Sequence, residues 1–201
     1  MNVICNDCVG GELYKAYNEK YGNPFVWTVL PFKDFLTLYK NYDKINFKNV
    51  KYNETPNYLY PWYMSSLIID NRVNLYFPHH IKEKSIENLI KIEPVENQTA
   101  YAWCKMDEYL LETYKRRIER MTESPVFIYS QENRNTEEDI KNLLKVATKS
   151  KYKLILLTTD STLEEKYKKY NNILFVHKSK NEILQATQAD FLKNNVENFF
   201  R

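Results

Sequence analysis

Val126-Phe127-Ile128-Tyr129, Leu154-Ile155-Leu156-Leu157 and Ile173-Leu174-Phe175-Val176 set the last third of the chain into short runs of aliphatic and aromatic residues. None of them alternates with polar residues, as a strand with one wet face does. Between the runs, 136–149 and 163–170 mix charged and apolar residues at helical spacing, and a closing helix is expected over 182–200. Apolar strands separated by helices imply a parallel sheet covered on both faces. Thr136 is placed to cap the helix after the first run. Asp139 stands where a full capping box takes a longer acid or amide, and Glu137 and Glu138 keep the first turn acidic, as the helix dipole favours.

Toward the N-terminus, Lys105 to Glu123 reads as a helix with Leu110, Tyr114, Ile118 and Met121 along one face and Lys115, Arg116, Arg117 and Arg120 on the remainder. Ser66 to Asp70 and Val73 to Phe77 read as a hairpin about Asn71-Arg72, its second strand running into Pro78-His79-His80. A short helix is expected within 81–92 and a loop over 93–99. Asp43 to Tyr63 is polar, tyrosine-rich and broken by Pro56 and Pro61, an irregular excursion with room for a short strand. Phe32 to Tyr42 has helical spacing. Phe25 to Leu30 is β-prone and reads as a strand ending at Pro31. The first helix is expected to run to about Lys20 and stop at Gly22-Asn23-Pro24, and Val3-Ile4 reads as the opening strand. No linker or repeat interrupts this order. The expectation is one α/β domain over 1–201, a three-layer Rossmann-like sheet, mostly parallel with one β-hairpin, helices on both faces.

Composition sets bounds. Hydrophobic content of 43% and charged content of 27% suit a globular protein, and a net charge of +3 is too small to argue for nucleic acid. The seventeen tyrosines accompany abundant lysine, asparagine and isoleucine, the mark of an AT-rich coding bias rather than of a stacking platform. Apolar runs stop well short of the ~20 residues that span a bilayer. Without a visible signal peptide, the three cysteines, Cys5, Cys8 and Cys104, read as reduced thiols in the cytoplasm.

The glycines point to a site. There are three in the chain, and two stand together at Gly10-Gly11, between an opening strand and a helix. So sparing a chain keeps such a pair for a sharp bend or a close approach. Cys8 falls in that strand-to-helix turn, where backbone N–H groups favour a thiolate. Ligands of open parallel sheets bind beyond the carboxyl ends of the strands. The residues just past the expected strands are Cys8, then His79 and His80, Gln131-Glu132-Asn133, Asp160 and His177. Cys8 with one of the two histidines makes a minimal activated nucleophile. Packed as a small buried hydrophobe, Cys8 has no such role. Cys5-Asn6-Asp7-Cys8 is also a C-x-x-C, open to a redox dithiol or half a metal site, but no second pair exists and no metal is expected. Arg116, Arg117 and Arg120 are either a solvated helix face or a clamp for phosphate or carboxylate.

Several motifs together resemble a known pattern. A strand, then Asn-Asp-Cys-x-Gly-Gly, is followed by Pro24-Phe25-Val26-Trp27, by a strand ending Phe77-Pro78-His79, and by a helix from Tyr114 to Arg120 reading Tyr-Lys-Arg-Arg-Ile-Glu-Arg. The combination resembles bacterial and viral families labelled exopolysaccharide-biosynthesis-related, and a neighbouring group labelled papain-like cysteine peptidases, over roughly residues 2–176. The resemblance implies Cys8 as nucleophile, His79 as its partner, and Arg116, Arg117 or both near the site. Asn23 and Val26 stand where those families often have Ser and Asp, and His80 where they tend to have Asp or Tyr. If that missing Asp orients the histidine, Asn6, Asp7 or Asp160 has to replace it.

The function expected is therefore a cysteine-dependent hydrolase or acyl/glycan-modifying transferase acting on a small anionic or glycan-linked substrate. Cys8 is the nucleophile, His79 or His80 the base, and N–H groups of Val9 to Gly11 the oxyanion donors. Gly10, Gly11, Trp27, Arg116, Arg117, Arg120, Glu132 and Asp160 are the expected substrate contacts. No cofactor, nucleic acid or membrane span is expected. One alternative is a glycosyltransferase-like protein whose arginines meet a sugar nucleotide. Another is a non-enzymatic module whose Tyr58, Tyr60, Trp62 and Tyr63 loop binds a glycan or protein.

Overall fold

Residues of the parallel strands point alternately to two separate apolar clusters, and this period of two organises the molecule. The computed structural model describes residues 2–7, 9–18, 20–52, 66–77, 110–121, 124–131, 135–177 and 192–193. In chain order the elements are β1 (Val3–Cys5), α1 (Val9–Ala16), α2 (Phe32–Asn41) with a 3-10 turn at Tyr42–Lys44, β2 (Val50–Tyr52), β3 (Ser66–Ile69) and β4 (Val73–Tyr76). Then come α3 (helical over 110–118), β5 (Val126–Ser130), α4 (Glu137–Ala147), β6 (Lys153–Thr158), α5 (Thr162–Tyr167) and β7 (Ile173–His177).

Four strands form a parallel sheet in the order β1-β5-β6-β7, with Val3 opposite Val126, Ile128 opposite Ile155 and Leu156 opposite Phe175. Ile4, Phe127, Tyr129, Leu154, Leu156 and Phe175 join Phe35, Leu38 and Tyr39 of α2 and Ile140, Leu143 and Leu144 of α4 in one cluster. Val3, Cys5, Ile128, Ile155, Leu157 and Val176 join Val9, Leu13 and Tyr14 of α1 and Leu192 in the other. Burying each such aliphatic or aromatic side chain contributes about 1.5–3 kcal/mol, and β5 is buried along its whole length, with Val126 to Tyr129 aliphatic or aromatic. The capping box closes even with the short acid: Thr136 Oγ1 accepts from Asp139 N at 3.1 Å, and Asp139 Oδ2 from Thr136 N at 2.9 Å.

The hairpin is not part of that sheet. β3 and β4 pair antiparallel, β2 pairs with β3, and the three make a second sheet in the order β2-β3-β4. β2 is the short strand for which the 43–63 excursion had room. The hairpin turns one residue earlier than Asn71-Arg72: Asp70 and Asn71 have φ of 52° and 54°, and Arg72 N bonds Ile69 O at 3.0 Å. Two successive left-handed residues are what a type I′ turn needs, and Asp and Asn supply them here without glycine.

Phe25 to Leu30 is not a strand. Asn23 Oδ1 accepts from Phe25 N at 2.9 Å, Thr28 Oγ1 donates to Phe25 O at 2.8 Å, and Trp27 lies at φ 62°. These side-chain bonds override β propensity and coil the segment. Its last residues still do strand-like work, since Val29 pairs with Tyr76 through bonds of 2.8 and 3.1 Å and Leu30 N bonds Asn6 O at 2.9 Å. Val29-Leu30 thereby ties the two sheets together. The first helix also stops early, at Ala16, because Asn18 (φ 53°) takes the left-handed position past its end. Lys193 Nζ on Ala16 O at 2.5 Å places a cation on the carbonyl end.

Many of the described tyrosines go into the core. Tyr39 OH donates to Tyr152 O, Tyr114 OH to Phe47 O and Tyr152 OH to Asp43, while Tyr39 and Tyr42 meet Phe127 edge to face with ring centroids 4.7 and 5.7 Å away. Burial pushes the Tyr39 and Tyr42 phenols up to about 12. No helix among the described residues is long and apolar enough to cross a membrane.

Candidate functional site

At the carboxyl edge of the parallel sheet, β1 is followed by Asn6 and Asp7, β5 ends in Ser130 before Gln131, β6 ends in Thr158 two residues before Asp160, and β7 ends in His177. The strands are parallel, so these residues do share one edge. Asn6 is fully buried; its Nδ2 donates to Ser130 O at 3.0 Å and its Oδ1 accepts from Ser130 N at 2.7 Å. Asp7 Oδ1 accepts from the Cys5 thiol at 3.1 Å and from Val9 N at 2.9 Å, holding both sides of the turn that leads into α1.

Further along the edge, Thr158 Oγ1 donates to Gln131 Oε1 at 2.5 Å and accepts from Asp160 N at 3.0 Å. Asp160 Oδ1 accepts from the hydroxyl and N–H of Thr162 at 2.7 and 2.9 Å, and these two bonds hold its carboxyl below the usual range. Asp160 thus steadies the start of α5. His177 Nε2 lies 2.7 Å from Glu164 Oε2 in an exposed pair. Among the described residues no group of three His, Cys, Asp or Glu comes together as a metal site.

The glycine pair sits inside α1 rather than in a bend, and neither residue has positive φ. A Cβ on Gly10 would stand 3.0 Å from the Cβ of Cys5, and one on Gly11 would stand 2.5 Å from Cδ2 and Cε2 of Trp27. Both glycines therefore serve close packing. Of the N–H groups expected to receive an oxyanion, that of Val9 donates to Asp7 Oδ1 at 2.9 Å and that of Gly10 is directed to the Cys5 sulfur. Cys5 is fully buried, and burial followed by the Asp7 carboxylate pushes its thiol well up. A thiol so buried and so held from ionising is a poor nucleophile.

Trp27 lies half-buried on Gly11, with Lys15 Nζ 4.3 Å above its ring and Tyr21 edge-on at 6.5 Å. Arg117 is 7% exposed; its Nη1 donates to Val26 O at 3.1 Å and its guanidinium sits 5.5 Å from the Tyr21 ring. It is built into the 23–28 turn. Arg116 and Arg120 are exposed on α3, which leads into the opening end of β5 and away from the carboxyl edge. Cys8, His79, His80 and Glu132 lie outside the described residues, as do the expected helices over 81–92 and most of 182–200 and the Tyr58–Tyr63 loop.

Residues 1–91 match a domain of unknown function, DUF1919. The matched stretch takes in Cys8, Gly10, Gly11, Trp27, His79 and His80, and it leaves out Arg116, Arg117, Arg120, Glu132 and Asp160. It holds β1, α1 and the whole second sheet, whereas β5 to β7 lie beyond it. No curated protein matches the chain.

Sequence reasoning missed three buried polar anchors. Asn23, fully buried, donates to Val3 O at 2.7 Å, Asn2 Oδ1 at 2.9 Å and Tyr14 OH at 3.2 Å. Asp34 Oδ1 accepts from Asn74 N and Nδ2 at 2.7 and 2.9 Å, and burial raises its carboxyl. Asn6 is the third. Asn23 could have been found from Asn-Pro-Phe, where an amide next to a turn signal often bonds its own backbone.

Proposed function

We propose that the protein is a cysteine-dependent hydrolase or acyl/glycan-modifying transferase, a single three-layer Rossmann-like α/β domain over 1–201 working in the cytoplasm on a small anionic or glycan-linked substrate. The observation that carries this reading is the place of Cys8 in the chain. In the sequence it stands between Asp7 and Val9, in the connection from the carboxyl end of β1 to α1. A helix start carries partial positive charge that favours a thiolate. The layer assignment is supported by α1 lying in one apolar cluster and α2 and α4 in the other. The resemblance to exopolysaccharide-biosynthesis-related families supports a glycan-linked substrate.

In this reading the Cys8 sulfur attacks a carbonyl carbon while His79 takes the thiol proton. The tetrahedral species collapses, expelling an alcohol or thiol that receives the proton from His79. Water or an acceptor hydroxyl then attacks the thioester and returns the proton to Cys8. His80 is the alternative base, and Arg116 and Arg120 remain available for a negatively charged part of a larger substrate. The test is a screen of esters and thioesters with wild type and Cys8→Ala. The expected result is turnover lost in the variant by a factor of ~10³ or more, since the nucleophile itself is removed. Full activity of Cys8→Ala overturns the proposal. A rise in melting temperature with nucleotide-sugars but not with esters moves the assignment to a sugar-nucleotide-binding protein.

A further inference from the structure

The chain leaves the parallel sheet at a joint made by one side chain. Asn6 N bonds Ile128 O at 3.3 Å, so a regular continuation of β1 gives the Asn6 carbonyl to the N–H of Ser130. Instead that carbonyl accepts from Leu30 N at 2.9 Å, and the side chain takes over the vacated rung. Asn6 Oδ1 accepts from Ser130 N at 2.7 Å and Nδ2 donates to Ser130 O at 3.0 Å. The residue is fully buried and all four of its polar groups are engaged. An amide alone supplies a donor and an acceptor side by side at this reach; Asp lacks the donor and Gln is a methylene too long. One position further, Asp7 ties Cys5 to Val9.

We infer that Asn6 is a positioning residue: its side chain fixes where the Asp7-to-Val9 connection, the stretch of sequence that carries Cys8, leaves the sheet. This rests on Cys8 being the nucleophile. Through Leu30 and the Val29–Tyr76 pair the same joint couples that connection to the second sheet. Asn6 touches no substrate in this account and acts through the backbone that bears Cys8.

The experiment is the pH profile of Cys8 alkylation by iodoacetamide, read separately from Cys5 and Cys104 by mass spectrometry, in wild type, Asn6→Ala and Asn6→Asp. An ordinary thiol titrates near ~8.5 and one held at a helix start at ~7.5 or below, so the variants are expected to alkylate Cys8 about tenfold more slowly at pH ~6.5. A merely structural role lowers the melting temperature and leaves the profile in place. Folded variants with the wild-type profile overturn the inference and leave the proposed function standing. A wild-type Cys8 that titrates as an ordinary thiol overturns both. Should neither variant fold, hydrogen exchange on the wild type decides: slow exchange of the Ser130 and Leu30 amides, as in the core strands, supports the joint, and exchange as fast as an open loop overturns it.

Discussion

Replacing Gly11 by Ala puts a methyl carbon 2.5 Å from two atoms of the Trp27 ring and 2.9 Å from a third. Carbon atoms in contact sit about 3.5–4.0 Å apart, so the ring has to move by an ångström or more. It has little room to do so, being fixed by a left-handed backbone and packed against Tyr21 and Lys15. Overpacking of this kind costs about 1–3 kcal/mol, and a rigid ring belongs in the upper part of that range. Ala for Gly inside a helix returns up to about 1 kcal/mol. The net expectation is a loss of about 1–2 kcal/mol. In a Trp27→Ala background the clash is gone and the same Gly11→Ala change should stabilise by about 0.5–1 kcal/mol, because only the helix preference of Ala remains. The change of sign implies a coupling of about 2–3 kcal/mol, well above the scatter of independent sites. Urea unfolding of the four proteins measures it, provided the slopes agree. Equal effects of Gly11→Ala in both backgrounds refute close packing as the reason for the glycine and make Gly11 once more a residue that a ligand approaches.

Asp34 gives a pH signature. Burial raises its folded carboxyl above the ordinary value of 3.8, so its favourable contribution is fully present below that value and is lost as pH rises through the folded one. Asp34→Asn keeps an oxygen for both Asn74 donors and removes the buried charge, so its stability relative to wild type should climb between acid and neutral pH; a flat difference curve refutes this. Asp34→Ala strands those donors and should cost about 1–3 kcal/mol. Arg117→Ala should likewise cost about 1.5–3 kcal/mol by removing a charged hydrogen bond to Val26 O. Arg116→Ala and Arg120→Ala, on the exposed side of α3, should stay within about 0.5 kcal/mol of wild type. Equal urea midpoints for all three arginine variants contradict this division. Thr136→Ala should lose about 1 kcal/mol with its capping bond to Asp139 N, and an unchanged midpoint contradicts that role.

The parallel sheet could be read from the sequence because both faces are buried, which leaves unbroken apolar strands with helices between them. Its shared edge came with it, and so did the nearness of Gln131, Asp160 and His177. The hairpin was legible as local chemistry, but its membership of a second sheet was not, since that depends on Val29 reaching Tyr76 across the fold. Phe25-Val26-Trp27-Thr28 misled because its propensity is β while its conformation is set by Asn23, Thr28 and Arg117, one of them over ninety positions further along. Arg117 looked like its neighbours Arg116 and Arg120. Helical phase alone does not say which of three basic residues turns inward when the partner is a main-chain carbonyl, because a carbonyl leaves no mark in the sequence.

Among the described residues, four other than glycine hold positive φ: Asn18, Trp27, Asp70 and Asn71. For three of them the side chain is the kind that visits this region readily, and in a chain so poor in glycine Asn and Asp are the natural substitutes. Trp27 is the exception. An indole gains nothing from a left-handed backbone, and the conformation costs about 1–2 kcal/mol that the surroundings must offset. They do so from every side: Asn23 and Thr28 bond the main chain of Phe25, Arg117 bonds the carbonyl of Val26, and the ring itself seats on a helix opened for it by Gly11. The turn, the second glycine and the buried arginine are therefore one device, and each is intelligible only with the other two. Its location has the same cause. By seating Trp27 on α1 three residues beyond Cys8, while Leu30 of the same segment bonds Asn6 two residues before it, the chain grips the β1-to-α1 connection from both flanks.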